Sequence, residues 1–303
     1  MSFSALIIGY GSIGKRHAKI LAEMNEISHI SVLSSQTGLP YKTINSLEDI
    51  SNLNPDYVVI ASPTDQHYHQ LKFFEENYKG IKILVEKPLF DSMIDLIVSR
   101  NIVYVGYNLR FHPMMNKIKE ICKNRRIWNI NVICCSYLPD WRPERHYQDT
   151  SSAKKDSGGG VLLDLSHELD YTQWLTGPIE VKHAVSQKVS SLEIDSDDIL
   201  LLSGRTQDGA YVHIGLNYFT RKPIRQILIN GEDISIQGDL IANTLSMVVN
   251  ADASEFSWPN LERNETYRAQ HRAALEGDWK NICTFEDGLN TMRLIENIRG
   301  WPN

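Results

Sequence analysis

The chain has only four cysteines in 303 residues: Cys122, Cys134, Cys135 and Cys283. None stands at the paired spacing of a zinc finger or ribbon, so no metal is expected. Cys134 and Cys135 sit side by side in an apolar run, which reads as buried strand, and the thiols are expected to be reduced. No window approaches the roughly 18 uncharged apolar residues of a membrane span. The start, MSFSALIIGYG, lacks the basic region and long apolar core of a signal peptide, so a cytoplasmic protein is expected. Positive charge is also short: 31 Lys and Arg stand against 37 Asp and Glu, for a net charge of −6. That gives no basic footprint for nucleic acid, although a local anion site, including one for a phosphorylated ligand, stays open. Low-complexity tracts and internal repeats are absent.

What is present is ordinary for a globular protein, with 42% hydrophobic and 22% charged residues. The length suits two domains. Near the start, the apolar run ALIIGYG (5–11) leads through Gly9-Tyr10-Gly11-Ser12-Ile13-Gly14 into KRHAKILAEM, which has helical periodicity. Strand, glycine turn and helix in this order form a dinucleotide-binding fingerprint. Gly9 permits the turn, Gly11 lets the backbone approach a pyrophosphate, and Gly14 lets the helix pack on the strand. Ser12 and Ile13 open that helix, whose N–H groups would face the phosphates.

The next strand, HISVLSS, ends on Ser34 and Ser35 followed by Gln36, where a carboxylate would select the ribose hydroxyl of NAD. Two hydroxyls and no carboxylate tilt the expectation from NAD toward NADP, though no arginine is present to pair with a 2′-phosphate. Three further strand-like runs follow: DYVVIASPTDQHYHQ (56–70), IKILVEKPLF (81–90) and NIVYVGYNLRFHP (101–113). Strands alternating with helical segments predict a doubly wound parallel sheet. Ligands bind beyond the carboxyl ends of such strands. Ser62, Thr64, His67, Glu86, Lys87, Asn108 and Arg110 fall at those ends and are the remaining candidates for the cofactor and, in Arg110, for the substrate.

After Pro113 the pattern changes. MMNKIKEICKN reads as helix and IWNINVICCSYLP as strand. From residue 179 strand-like runs follow one another, with turn signals at Asp208-Gly209 and Asn230-Gly231. The expected fold is therefore α/β: a Rossmann domain over 1–113, then an α/β domain over 114–303 with an open, largely antiparallel sheet. The C-terminal helices can pack back on the first domain. One face of the second sheet is expected to take helices and the other a second subunit, giving a dimer or tetramer.

The stretch GGGVLLDLSHELDYTQWL starting at Gly158 puts Asp164 and His167 on a helix entered through three glycines. The glycines are expected to bring backbone and helix N-terminus close to a ligand. Together with GYGSIGKRH (9–17), EKP (86–88) and GYNLRFHP (106–113), this stretch resembles the Gfo/Idh/MocA family of NAD(P)-dependent oxidoreductases, which includes glucose–fructose oxidoreductase and inositol dehydrogenase. The resemblance covers essentially the whole chain. It implies hydride transfer between a nicotinamide and a sugar or cyclitol carbon. It implies that Lys87 lies near the reacting hydroxyl, that His167 is the general acid/base, and that Asp164 positions the substrate. The chain departs from the family in one respect: the usual spacing is D-x-x-x-H, and here it is D-x-x-H. The two spacings differ by about 100° around a helix.

The loop YLPDWRPERHYQDTSSAKKDS supplies further substrate candidates in Trp141, Arg142 and Tyr147, since aromatic rings cover sugar faces and arginine forks bind carboxylate or phosphate. Its W-R-P-x-x-x-Y pattern resembles a sub-group linked to bacterial surface-sugar biosynthesis, which implies an acidic sugar or its nucleotide-activated form. Two other readings stand beside the dehydrogenase: a redox-neutral epimerase or glycosidase with bound NAD, and a non-catalytic dinucleotide-binding regulator.

Overall fold

The computed structural model describes residues 2–302. Contacts along the chain divide it into two units, residues 1–111 with 262–289 and residues 112–261 with 290–303. Segment 262–289 thus groups with the first unit, and each unit is described in turn.

The elements run in chain order as β1 (Phe3–Ile8), α1 (Ser12–Ala22), β2 (Ile27–Leu33), β3 (Lys42–Ile44), β4 (Tyr57–Ile60), α2 (His67–Asn77), β5 (Lys82–Val85) and β6 (Ile102–Val105). Then come α3 (Pro113–Cys122), β7 (Ile127–Tyr137), α4 (Val161–Asp164), α5 (His167–Thr176), β8 (Ile179–Gln187), β9 (Ile199–Thr206), β10 (Tyr211–Asn217) and β11 (Phe219–Gly231). The last are β12 (Ile234–Asp239), β13 (Thr244–Val249), β14 (Asp252–Ser257), α6 (Arg263–Glu276), β15 (Cys283–Thr284) and α7 (Phe285–Arg299).

The first unit holds a seven-stranded sheet in the order β15-β6-β5-β4-β1-β2-β3. All its pairings are parallel except that of the short β15. Strands such as β4 (YVVI), buried at every residue, need helices on both faces, and the doubly wound arrangement supplies them. Chain order reverses where β1 lies between β4 and β2, and the crevice beyond the strand ends at that point is where such sheets take ligands. The glycine turn follows β1, and the loop holding Ser62 and Thr64 follows β4.

The second unit holds an eight-stranded sheet in the order β14-β13-β12-β11-β7-β10-β9-β8. It is antiparallel except between β7 and β10, which run parallel. Its strands alternate between buried and accessible residues, as β9 does, because only one face is covered. On the covered face Met114 and Ile118 of α3 lie so close to β12 that a Cβ at Gly238 would meet the Met114 sulfur at 2.8 Å. The other face leaves Ile133, Leu201 and Leu228 exposed. Asn230-Gly231 closes β11 rather than making the turn. The chain reverses at Glu232-Asp233, where Asp233 takes a positive φ of 58°. The glycine is needed because an added Cβ would meet the Arg126 carbonyl at 2.5 Å.

Candidate active site

In the first unit the glycine turn fits a dinucleotide. Gly9 has φ of +89°, and a Cβ there would lie 2.7 Å from the Ala61 carbonyl. A Cβ on Gly14 would lie 2.0 Å from the Gly9 carbonyl, so α1 touches the turn backbone to backbone. At Gly11 nothing of the chain lies within 4 Å of the added carbon, which leaves the backbone open for a phosphate. Helix α1 has no side-chain cap and no acidic residue in its first turn. Its opening N–H groups, with Ser12 exposed and Ile13 half-buried beside them, keep their capacity for an anion.

At the end of β2 Ser34 is buried, and its hydroxyl accepts from the Gln36 N–H at 3.1 Å; Ser35 is exposed. The Gln36 amide reaches across and donates to the Tyr10 carbonyl at 3.0 Å. That bridge between the two loops has no signal in the sequence.

Other strand-end candidates turn inward. The Ser62 hydroxyl donates to Gln70 at 2.7 Å, while Thr64, next to it, is half-buried. His67 is 1% exposed, with Nδ1 at 3.1 Å from the Pro88 carbonyl and Nε2 at 3.1 Å from the Ser62 carbonyl. Burial lowers its pKa, and the carbonyls partly offset this. His67 therefore fastens the loop after β4 to the E-K-P turn. Asn108 donates to Thr266 at 2.7 Å. Arg110, expected at the substrate, is 3% exposed and pairs with Asp287 at 3.0 Å; that makes it an internal ion pair of this unit. Glu86 is buried and turned toward His17, with 2.8 Å between them. Lys87 is different. From Ile83 to Phe90 it is the one residue that is not buried, in a stretch where every neighbour is packed.

The second unit repeats this pattern. From Gly159 to Thr172 only Asp164 and His167 escape full burial. Asp164 ends α4, and His167 opens α5 after a break at Leu165-Ser166. Asp164 accepts a hydrogen bond from the Tyr218 hydroxyl at 2.7 Å. Burial, first, and the neighbouring Asp164 push the Tyr218 pKa well above 10, so the phenol stays a donor. Trp141 stands edge-on to Tyr218 at 5.2 Å, and its indole N–H donates to Ser136. Arg142, beside it, is half-buried, while the Tyr147 hydroxyl accepts from the Glu193 N–H at 3.1 Å.

Two of the three glycines serve a purpose other than the one expected. A Cβ on Gly159 would lie 2.1 Å from the Ser151 carbonyl, and one on Gly160 would lie 2.1 Å from the Asp197 carboxylate. Asp197 also takes the Leu162 N–H on its side chain and the Val161 N–H on its carbonyl, each at 2.9 Å. The entrance to α4 is thus closed by the protein's own carboxylate rather than open to a ligand. Burial raises the Asp197 pKa. Asp197 and Tyr218 are the residues that the sequence did not reveal.

Residues 3–98 match the family model described as "Oxidoreductase family, NAD-binding Rossmann fold", and residues 115–237 match the GFO/IDH/MocA C-terminal domain. A relative in Bacillus subtilis, the uncharacterized oxidoreductase YrbE, is 24% identical over 321 aligned positions, covering 95% of this chain and 91% of the relative. Among solved structures, levoglucosan dehydrogenase with NADH aligns with a TM-score of 0.84 at 19% identity, over 99% of this chain and 96% of the other. The WlbA dehydrogenase of Bordetella pertussis, in complex with NADH and UDP-GlcNAcA, aligns with a TM-score of 0.78 at 17% identity, over 99% and 96%. At those identities the structural likeness speaks for the fold.

Proposed function

This chain belongs to the GFO/IDH/MocA oxidoreductase family, with its NAD-binding Rossmann fold, and from that premise we propose an NAD-dependent dehydrogenase acting on a hydroxyl-bearing carbon of a sugar, sugar acid or nucleotide sugar. One observation carries the reading: two tightly packed stretches each leave only ionisable side chains accessible, Lys87 in one and Asp164 with His167 in the other. Packed surroundings that spare only such groups favour chemistry over solvation.

A bound nicotinamide supplies the hydride acceptor, or the donor in reverse. Lys87 donates a hydrogen bond to the reacting oxygen, which favours its deprotonated form. His167 takes the hydroxyl proton and returns it in the reverse direction. Asp164, which accepts from Tyr218 at Oδ2, positions the substrate by accepting from one of its hydroxyls. Trp141 offers an indole that is 36% exposed for a sugar face, with Arg142 nearby in sequence for an acidic or phosphorylated group.

The family's NAD-binding description favours NAD over the NADP that the two serines suggested. The dehydrogenase of known structure that holds UDP-GlcNAcA supports an acidic nucleotide sugar as the first substrate to try. The exposed apolar residues Ile133, Leu201 and Leu228 on the open sheet face support a homo-oligomer, to be read by light scattering. Four buried thiols suit a reducing cytoplasm, which cell fractionation checks.

The test is a panel of free sugars, sugar acids and UDP-sugars with NAD⁺, following the absorbance of reduced nicotinamide. His167→Ala should lose on the order of 10²–10⁴ in kcat on the substrate found, and Lys87→Ala should lose kcat while still binding NADH. Product formation without net reduction of NAD⁺ would point to the redox-neutral alternative. Near-normal kcat in either variant removes that residue from the chemistry.

A further inference from the structure

Four buried side chains in the first unit form a chain of hydrogen bonds that the proposed reaction leaves unused. His17 lies on α1, shortly after the glycine turn, and is fully buried. Its Nε2 is 2.8 Å from Glu86 Oε1, and its Nδ1 is 2.8 Å from Nε2 of His271 on α6. The other nitrogen of His271, Nδ1, is 2.8 Å from the hydroxyl of Tyr57 at the start of β4. His17, His271 and Tyr57 are each 0% exposed, and Glu86 is 6% exposed.

Counting protons gives the chain a direction. Burial raises the Tyr57 pKa well above 10, so its hydroxyl keeps its hydrogen. Burial, and then the neighbouring His17, lower the His271 pKa well below 6.5, so that ring is neutral and carries one N–H. With Tyr57 donating to Nδ1, His271 must donate from Nε2 to His17. His17 then accepts at Nδ1 and donates from Nε2 to Glu86 Oε1. Three bonds use three hydrogens and leave none over. The reverse orientation strands the Tyr57 hydrogen and needs either a proton on Glu86 or a second proton on His17, a costly arrangement for buried groups.

The accepting end of this chain is the residue immediately before Lys87. Glu86 Oε2 lies 3.3 Å from the Lys87 N–H and accepts from it. On the other side the carboxylate is walled by Gly106, where a Cβ would lie 2.9 Å from Oε1. We propose that His17, His271 and Tyr57 form a positioning relay that fixes the Glu86 carboxylate and, through it, the turn presenting Lys87, thereby tying that turn to the helix that follows the glycine turn. The relay's role in catalysis rests on the reading of Lys87 given above; its geometry does not. None of the three is a catalytic residue, since each acts through Glu86.

The test reads Lys87 without turnover, on the full chain. Wild type, His17→Leu and His17→Gln, each shown folded by circular dichroism, are treated with trace acetic anhydride. Peptide mass spectrometry then gives the acetylation rate of Lys87 relative to exposed Lys182. A glutamine amide can accept from His271 and donate to Glu86; leucine can do neither. The relative rate at Lys87 should change by about threefold or more in His17→Leu, the scale of one lost hydrogen bond, and return to the wild-type value in His17→Gln. Equal rates in all three proteins overturn the proposal, and so does an equal change in both variants, which would mark a packing effect. Should His17→Leu not fold, nitrogen NMR of wild-type histidines decides: both rings should carry the proton on Nε2, and an imidazolium or an Nδ1–H on either overturns it. Full turnover in Lys87→Ala would remove the catalytic reading of Lys87 and leave both of these measurements standing.

Discussion

His271 makes the first unit acid-labile by a predictable amount. The ring is fully buried between His17 and Tyr57, with Tyr267 packed against His17 and Glu86 at the far end of the chain. Burial and His17 lower its folded pKa well below 6.5. The sign follows directly: the unfolded chain binds a proton at His271 below pH 6.5 and the folded chain does not, so stability is complete above that pH and falls as pH drops beneath it. While the folded ring stays neutral, lowering the pH from about 7.5 to 5.5 costs about RT ln 10, roughly 1.4 kcal/mol. His271→Gln keeps an acceptor for Tyr57 and a donor for His17 but cannot titrate. Burial also lowers the pKa of His67 and His112, but both proteins retain these groups and their contributions cancel in the difference. The assay is hydrogen exchange at core amides of β1 and β4, which reports opening of the first unit by itself. The stability gap between wild type and His271→Gln should shift against wild type by about 1.4 kcal/mol over that range. A gap that stays constant would mean that folded His271 takes up its proton normally, and the proton count along the relay would be wrong.

Three further outcomes can be checked. Arg225→Met strips the partner from the fully buried Glu168, 2.7 Å away, and should cost roughly 3–5 kcal/mol, seen as a fall in the urea midpoint; Arg225→Met with Glu168→Gln should recover much of it. Gly160→Ala forces a methyl onto the Asp197 carboxylate at a φ of +114°, so kcat should fall with NADH affinity unchanged; a fully active variant would show that the α4 entrance tolerates movement. Tyr218→Phe removes the donor to Asp164 and should raise KM for the sugar more than it lowers kcat; unchanged constants would exclude a positioning role.

The parts of this protein legible in the sequence are those set by local constraint. Gly9 and Gly14 could be assigned because a turn conformation and a strand–helix contact within a few residues demand them. The doubly wound sheet was legible because buried parallel strands are continuous apolar runs, and the second sheet because its strands alternate. Sequence position placed Arg110 and His67 at strand ends correctly, but it could not say which way they turn. Both find partners far along the chain, Asp287 for one and the backbone of Pro88 for the other. Asp197 stands among several acidic residues just before β9, with nothing local to mark it out. Its importance lies in the backbone of Val161 and Leu162, which only folding brings to it. The same holds for Tyr218, which is 54 residues from Asp164 in sequence.

The short D-x-x-H spacing shows how local and distant constraints combine. On an ideal α-helix three residues turn about 300° and four turn about 400°, so a lost residue would swing Asp164 away from His167 by about 100°. This chain does not keep an α-helix between them. The Ser166 N–H bonds the Leu163 carbonyl and the Glu168 N–H bonds the Leu165 carbonyl, each three residues back. That is the tighter 3₁₀ pattern, in which residues i and i+3 eclipse. An ideal turn of that kind carries three residues round by about 360°, closer than the 300° of an α-helix to the four-residue step of about 400°. The helix breaks at Leu165, where ψ reaches 26°, and the residues before the break are held by long-range partners: Asp197 at the start of α4 and Tyr218 at Asp164. The short spacing thus falls on a tighter turn, and the residues just before that turn are the ones that Asp197 and Tyr218, both invisible in the sequence, hold in place.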